Sequence, residues 1–125
     1  MATWREIATD NFAAVMDLVA RHWRSAQSRA YYAAYARVAA ALASSGVVVP
    51  AGREGPSHAK LPALVESHLT QVGILRWQVS VLLRDLYRMR LIADYHPSAS
   101  VGDGDARQAA ALMQRLFRLM ERRQT

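Results

Sequence analysis

Apolar residues recur at steps of three and four along most of the chain, and strict alternation is nowhere sustained, so the pattern predicts helices. The run Val47-Val48-Val49 is β-branched but closed by Pro50, and it reads as loop or a short extended piece. Thr3 and Glu6 stand at capping-box spacing and open a first helix, whose stripe is Ala8, Phe12, Val15, Val19 and Trp23. The polar knot from Arg24 to Ser28 offers Ser25 and Ser28 as N-caps of a second helix running to Gly46, a good C-terminal stop. Its stripe is Tyr31, Tyr35, Val38 and Leu42, while Ala33, Ala34, Ala36, Ala39, Ala40 and Ala43 keep the rest of its surface small. Val47 to Pro56 holds two of the four Pro and two of the six Gly and reads as a long connection.

A shorter helix follows, from Ser57 or Pro62 to about Thr70, with Leu61, Leu64, Val65 and Leu69 as its apolar face. Gly73 marks the joint before the longest helix, in which Leu75, Val79, Leu82, Leu86, Met89 and Ala93 repeat by four and three. That helix should end near Tyr95, because Pro97 disfavours helical backbone at His96. Ser98 to Gly104 is a loop, and a last helix from about Asp105 to Arg123 buries Ala109, Leu112, Leu116 and Leu119 or Met120. The expectation is an all-α, up-and-down bundle of about five helices, one domain over residues 1–125.

Composition narrows the function classes. At 125 residues the chain has room for one core, and 52% apolar with 21% charged residues excludes wholesale disorder. Cysteine is absent, which removes disulfides, thiolate zinc sites and cysteine nucleophiles and leaves a reducing cytoplasm as the default setting. No run reaches the length of a membrane span, and the N-terminus lacks an export pattern, so a soluble, unexported protein is expected. The net charge is +6, and fifteen of the sixteen cations are Arg, whose planar donor fork matches phosphate. That charge permits an RNA or nucleotide partner without specifying one.

Several site types are missing from the string: a glycine-rich phosphate loop, G-x-S-x-G, and H-E-x-x-H. Gly102-Asp103-Gly104-Asp105 looks like a calcium loop but lacks the later ligands and the closing Glu, and reads as a helix N-cap. His22, His58 and His68 are scattered singly and read as structural or surface residues, so neither metal nor cofactor is expected. The informative segment is Leu86 to Pro97. Arg90 and Asp94 are four apart and can pair on one helix face, with Arg88 and Tyr95 a heptad apart on another. With His96 they gather Arg, Asp, Tyr and His at one helix end. An RNA-cleaving site needs such groups: Arg for phosphate and its developing charge, His or Tyr for the proton of a ribose hydroxyl. The competing reading is an i,i+4 ion pair that steadies the last turn, and spacing alone is satisfied by it.

Ser28-Arg29-Ala30-Tyr31-Tyr32-Ala33-Ala34-Tyr35-Ala36, followed by an Ala-rich helix, a Gly-containing loop with His58, and Arg90-Leu-Ile-Ala-Asp94-Tyr95, resembles the small stand-alone members of the HEPN domain family. The likeness runs from the first helix to the last in the same order. It implies an all-α bundle, usually a homodimer, in prokaryotes often paired with a minimal nucleotidyltransferase as a toxin–antitoxin couple. Active members resemble metal-independent endoribonucleases, in which an Arg is followed after four to six residues by a His and two protomers' motifs face each other. Here Arg90 matches the Arg and His96 follows after five residues, while Tyr95 occupies the place that most often carries the His and Leu91 replaces a common Asn.

The reading is a HEPN-like protein acting on RNA or nucleotides, with Arg90 as phosphate holder, His96 as general acid–base, Asp94 orienting Arg90, and Tyr95 supplementing or replacing the imidazole. Tyr31 and Tyr35 read as core, and Tyr32, off their stripe, as a cleft residue with Arg29 and Arg88. Arg37 lies beside the cleft or in solvent. The rival from another class is a non-catalytic interaction module that dimerises and binds a nucleotidyltransferase-type partner. A basic DNA-binding protein is disfavoured, since no short helix–turn–helix with a polar recognition face stands out.

Overall fold

Alanine decides how this chain packs. The computed structural model describes residues 2–47, 58, 61–68 and 73–121, which form α1 (Trp4–Leu18), α2 (Trp23–Ser44), α3 (Leu61–His68), α4 (Gly73–Tyr95) and α5 (Asp103–Glu121). A helix apolar on one stripe can have only that stripe covered, but α2 carries small buried residues nearly all round. Ala26, Ala30, Ala33, Ala34 and Ala39 are all fully buried, and α2 consequently touches each of the other four helices. Tyr31, Val38 and Leu42 from α2 meet Val15, Leu61, Val79, Leu83, Leu86, Met113 and Leu116 in one core. The result is an all-α bundle, as the periodicity predicts.

The ends of the elements follow local chemistry. Thr3 and Glu6 form the expected capping box: the Glu6 N–H donates to Thr3 Oγ1 at 3.1 Å and the Thr3 N–H to Glu6 Oε1 at 3.2 Å. Gly46, at φ +86°, ends α2 with the paired bonds of a Schellman motif, Gly46 N–H to the Ala43 carbonyl and Val47 N–H to that of Leu42. Pro62 sits in the first turn of α3, where its missing N–H costs nothing. At α5 the helix starts at Asp103 rather than Asp105, with the Asp105 carboxylate reaching back to accept from the Gly102 N–H at 2.9 Å.

Two boundaries differ from expectation. The chain leaves helix after Leu18, and Trp23 is the first residue of α2, 39% exposed, rather than the end of the α1 stripe. Neither Ser25 nor Ser28 caps α2; both lie inside it, and the flanking His22 makes no side-chain cap bond. In α5, Met113 is fully buried and Leu112 only partly so, with Leu119 and Met120 both buried: the seam lies one position on from the predicted residue. The expected roles of Leu69, Thr70, the Leu75 side chain, Ser57, Arg123 and most of the connection to Pro56 lie outside the described residues. No described helix is long and apolar enough to cross a membrane.

Candidate functional site

The last turns of α4 are fastened to the first turns of α2 chiefly by one side chain. Arg24, inside the first turn of α2, sends its guanidinium to the carbonyl oxygens of Ala93 at 3.0 Å, His96 at 3.1 Å, Pro97 at 3.2 Å and Ile92 at 3.4 Å, and also to that of Ala99. A helix C-terminus leaves such carbonyls without intrahelical donors and carries a partial negative charge, so a cation with five donors suits it well. Gln27, 2% exposed, adds a bond from Nε2 to the Met89 carbonyl at 2.6 Å. These contacts fix where the segment Arg90 to His96 stands against α2.

Arg90 is the centre of what they fix. Its guanidinium, with the side chain only 12% exposed, donates from one Nη to the Tyr32 hydroxyl at 2.6 Å and to the Tyr95 hydroxyl at 3.4 Å. The guanidinium carbon lies 5.2 Å from the Tyr32 ring centroid and 5.3 Å from that of Tyr95, within cation–π range of both. Nε stands 3.1 Å from Asp94 Oδ2, yet is off the line of a hydrogen bond, so this contact is an ion pair that leaves the Nε–H donor unspent. Asp94 in turn accepts from Ser28 Oγ at 3.0 Å. Burial pulls the Arg90 pKa down, but Tyr32, Tyr95 and Asp94 together outweigh it and the net direction is upward: the cation is firmly kept.

Beside this cluster opens a cleft of about 670 Å³ lined by Arg24, Ser25, Ser28, Arg29, Tyr32, Ala93, Asp94 and Tyr95. Tyr95 is 62% exposed at its mouth. Of the residues singled out in the sequence, Tyr32, Asp94, Tyr95 and Arg29 line it, and Arg90 stands among them; Arg29 also donates to Asn11 Oδ1 at 3.2 Å. His96 is exposed at the end of α4 and its imidazole is not part of the lining. Arg88 is not brought to the cleft: it pairs with Asp85 and faces a second cavity, with Met89, Ile92 and Gln108, between α4 and α5. Tyr95 shares the site of Arg90 instead of a face with Arg88. Arg37 donates to the Met120 carbonyl at 3.4 Å, away from the cleft. Among the described residues no group of three or more His, Asp or Glu could hold a metal ion.

Behind Arg90 lies a box of rings. His58 stacks on Tyr87 at 5.3 Å and 20°, and its ring is 5.3 Å from Tyr31 and 5.1 Å from Tyr35. The Tyr31 hydroxyl and His58 Nδ1 are 2.5 Å apart. Burial pushes the Tyr31 phenol well above its usual range and Tyr35 to about 12, while burial and then the Arg90 charge push the imidazole of His58 down. Tyr31 therefore keeps its proton beside a His58 that favours the neutral form. Spacing could not reveal His58, whose partners come from two helices distant in sequence, nor Arg24, whose bonds all go to main chain. The only local hint for Arg24 was an Arg just where a helix begins.

The family model described as HEPN domain matches residues 1–123. No curated protein and no solved structure matches.

Proposed function

Because the chain belongs to the HEPN domain family, with an RNA- or nucleotide-related function of that type, we propose that the Arg90 cleft takes the phosphate of an RNA strand and cleaves the strand without a metal ion. The observation that carries this reading is a guanidinium that donates from one Nη to two tyrosine hydroxyls at the edge of a cleft wide enough for a nucleotide. Arg90 neutralises the phosphate and the charge that develops on it, with Arg29 as a second cation on the wall. The proton leaving the ribose 2′-hydroxyl passes to His96, and the departing 5′-oxygen receives one from the Tyr95 hydroxyl or from a second His96. The exposed His96 fits a composite site in which the motifs of two protomers face each other, so a homodimer, as a toxin neutralised by a nucleotidyltransferase-type antitoxin, belongs to the same proposal.

A second reading has its own observation. The Arg90 cluster is already closed upon itself, and the His96 imidazole does not line the cleft, as would suit a non-catalytic module that binds a nucleotidyltransferase-type partner. One assay separates the two: labelled mixed RNA is incubated in EDTA with wild type, Arg90→Ala and His96→Ala at matched folded concentration. Cleavage by wild type with at least a hundredfold loss in both variants is expected, the size typical of a positioned acid–base or charge-stabilising group. No cleavage, or equal cleavage by all three, removes the catalytic assignment in favour of the binding module.

A further inference from the structure

His58 lies outside the cleft, yet a continuous set of contacts joins it to Arg90. Its Nδ1 is hydrogen-bonded to the Tyr31 hydroxyl at 2.5 Å; the Tyr31 ring meets that of Tyr32 edge-on at 5.6 Å; and the Tyr32 hydroxyl accepts from Arg90 at 2.6 Å. The Tyr31 and Tyr32 rings are in edge-to-face contact, so a shift of one bears on the other. We propose that His58 is a positioning residue of the Arg90 cleft: by accepting the Tyr31 hydroxyl's hydrogen bond it sets the pair of tyrosine rings that presents the Tyr32 hydroxyl to Arg90. This rests on the Arg90 cleft being the working site.

The chemistry of the bond makes the arrangement sensitive to proton uptake. A neutral imidazole with its proton on Nε2 offers Nδ1 as an acceptor, whereas an imidazolium carries a donor on both nitrogens and cannot accept from Tyr31. The phenol cannot yield its proton instead, being buried among Tyr35, Tyr87 and Tyr32. From α2 the imidazole is faced by the Tyr31 hydroxyl and the Tyr35 ring, and from α4 by Tyr87 and the charge of Arg90. Among these groups none is a carboxylate that would welcome the second proton. Charging His58 thus reverses the bond, so that Nδ1–H donates to the Tyr31 oxygen and the phenol proton must turn to another acceptor, a rearrangement that reaches Tyr32 through the edge-on ring contact.

The test uses the whole chain labelled for NMR at its tyrosine rings, histidine rings and arginine side chains, titrated from pH 8 to 5. The Tyr32 ring and Arg90 side-chain resonances are expected to move with the His58 midpoint in wild type, and to lose that movement in Tyr31→Phe, which keeps the ring but not the bond, and in His58→Gln. Tyr32 and Arg90 signals that ignore the His58 titration overturn the proposal. In a second arm, a single-stranded RNA oligonucleotide made uncleavable by 2′-O-methylation is bound at pH 7.5 and 5.5. Tyr31→Phe is expected to weaken binding about fivefold at the higher pH, the worth of one hydrogen bond, and wild type to lose affinity at the lower pH. A charge acting only through space would instead strengthen anion binding as His58 protonates, and that sign overturns the proposal. If the resonances move together but no RNA binds, the RNA reading fails and the positioning role of His58 stands.

Discussion

Arg90 shows how one residue's identity is used three ways at once: charge for Asp94, donors for two hydroxyls, and a flat face for two rings. Lysine would supply charge and donors but not the flat face or the fixed fork. His58 shows the converse, a residue whose worth lies in remaining uncharged. Its folded-state pKa lies below the ordinary value of 6.5, so the unfolded chain binds the proton more readily. The sign follows: its contribution to stability is whole above pH 6.5 and is lost as the pH falls through the folded-state value. The melting temperature of wild type should therefore drop more steeply between pH 6.5 and 5 than that of His58→Gln, as followed by circular dichroism; parallel curves would show that His58 titrates as it does in the unfolded chain. The pairing of Arg90 with Asp94 was legible from four-residue spacing, as was the burial of Tyr31 and Tyr35 on one stripe. Tyr32, set apart because it falls off that stripe, is indeed where α2 turns toward the cleft.

At the scale of elements, sequence signals worked where local chemistry alone sets an end. The Thr3–Glu6 box, Gly46 and the Pro97 block each act within a few residues, and helices α1, α2 and α4 start or stop accordingly. They failed where tertiary contact decides. The turn after Leu18 has neither Gly nor Pro, and an apolar periodicity continuing through Val19 to Trp23 conceals it. Ser28 looks like a cap in isolation but is spent on Asp94, 66 positions away. The end of α4 depends on Arg24 in the same non-local way. Arg24→Ala should destabilise the bundle by about 2 kcal/mol, since several charge-assisted bonds to carbonyls go at once but water can replace part of them. Hydrogen exchange should rise selectively over residues 93–99, and protection unchanged there would mean that Pro97 alone ends the helix.

For the whole molecule, the surface of α2 sets the distances at which the other four helices stand. Ala34 is completely buried, so Ala34→Leu adds three carbons where no space exists and should cost about 1–3 kcal/mol, read as a lower midpoint in urea denaturation. An unchanged midpoint would mean that the bundle breathes more than close-packed alanines suggest. The resemblance in the sequence runs over nearly the whole chain, from the first helix to the last, and the family match covers 1–123. Arg24 adds one consequence on the same scale. It reads only main-chain oxygens, so it does not discriminate among the side chains of the turn it holds. Arg24 thereby sets no demand on the side chains at positions 96, 98 and 99, and the scaffold can exchange one reactive group for another at position 96 while keeping this clasp.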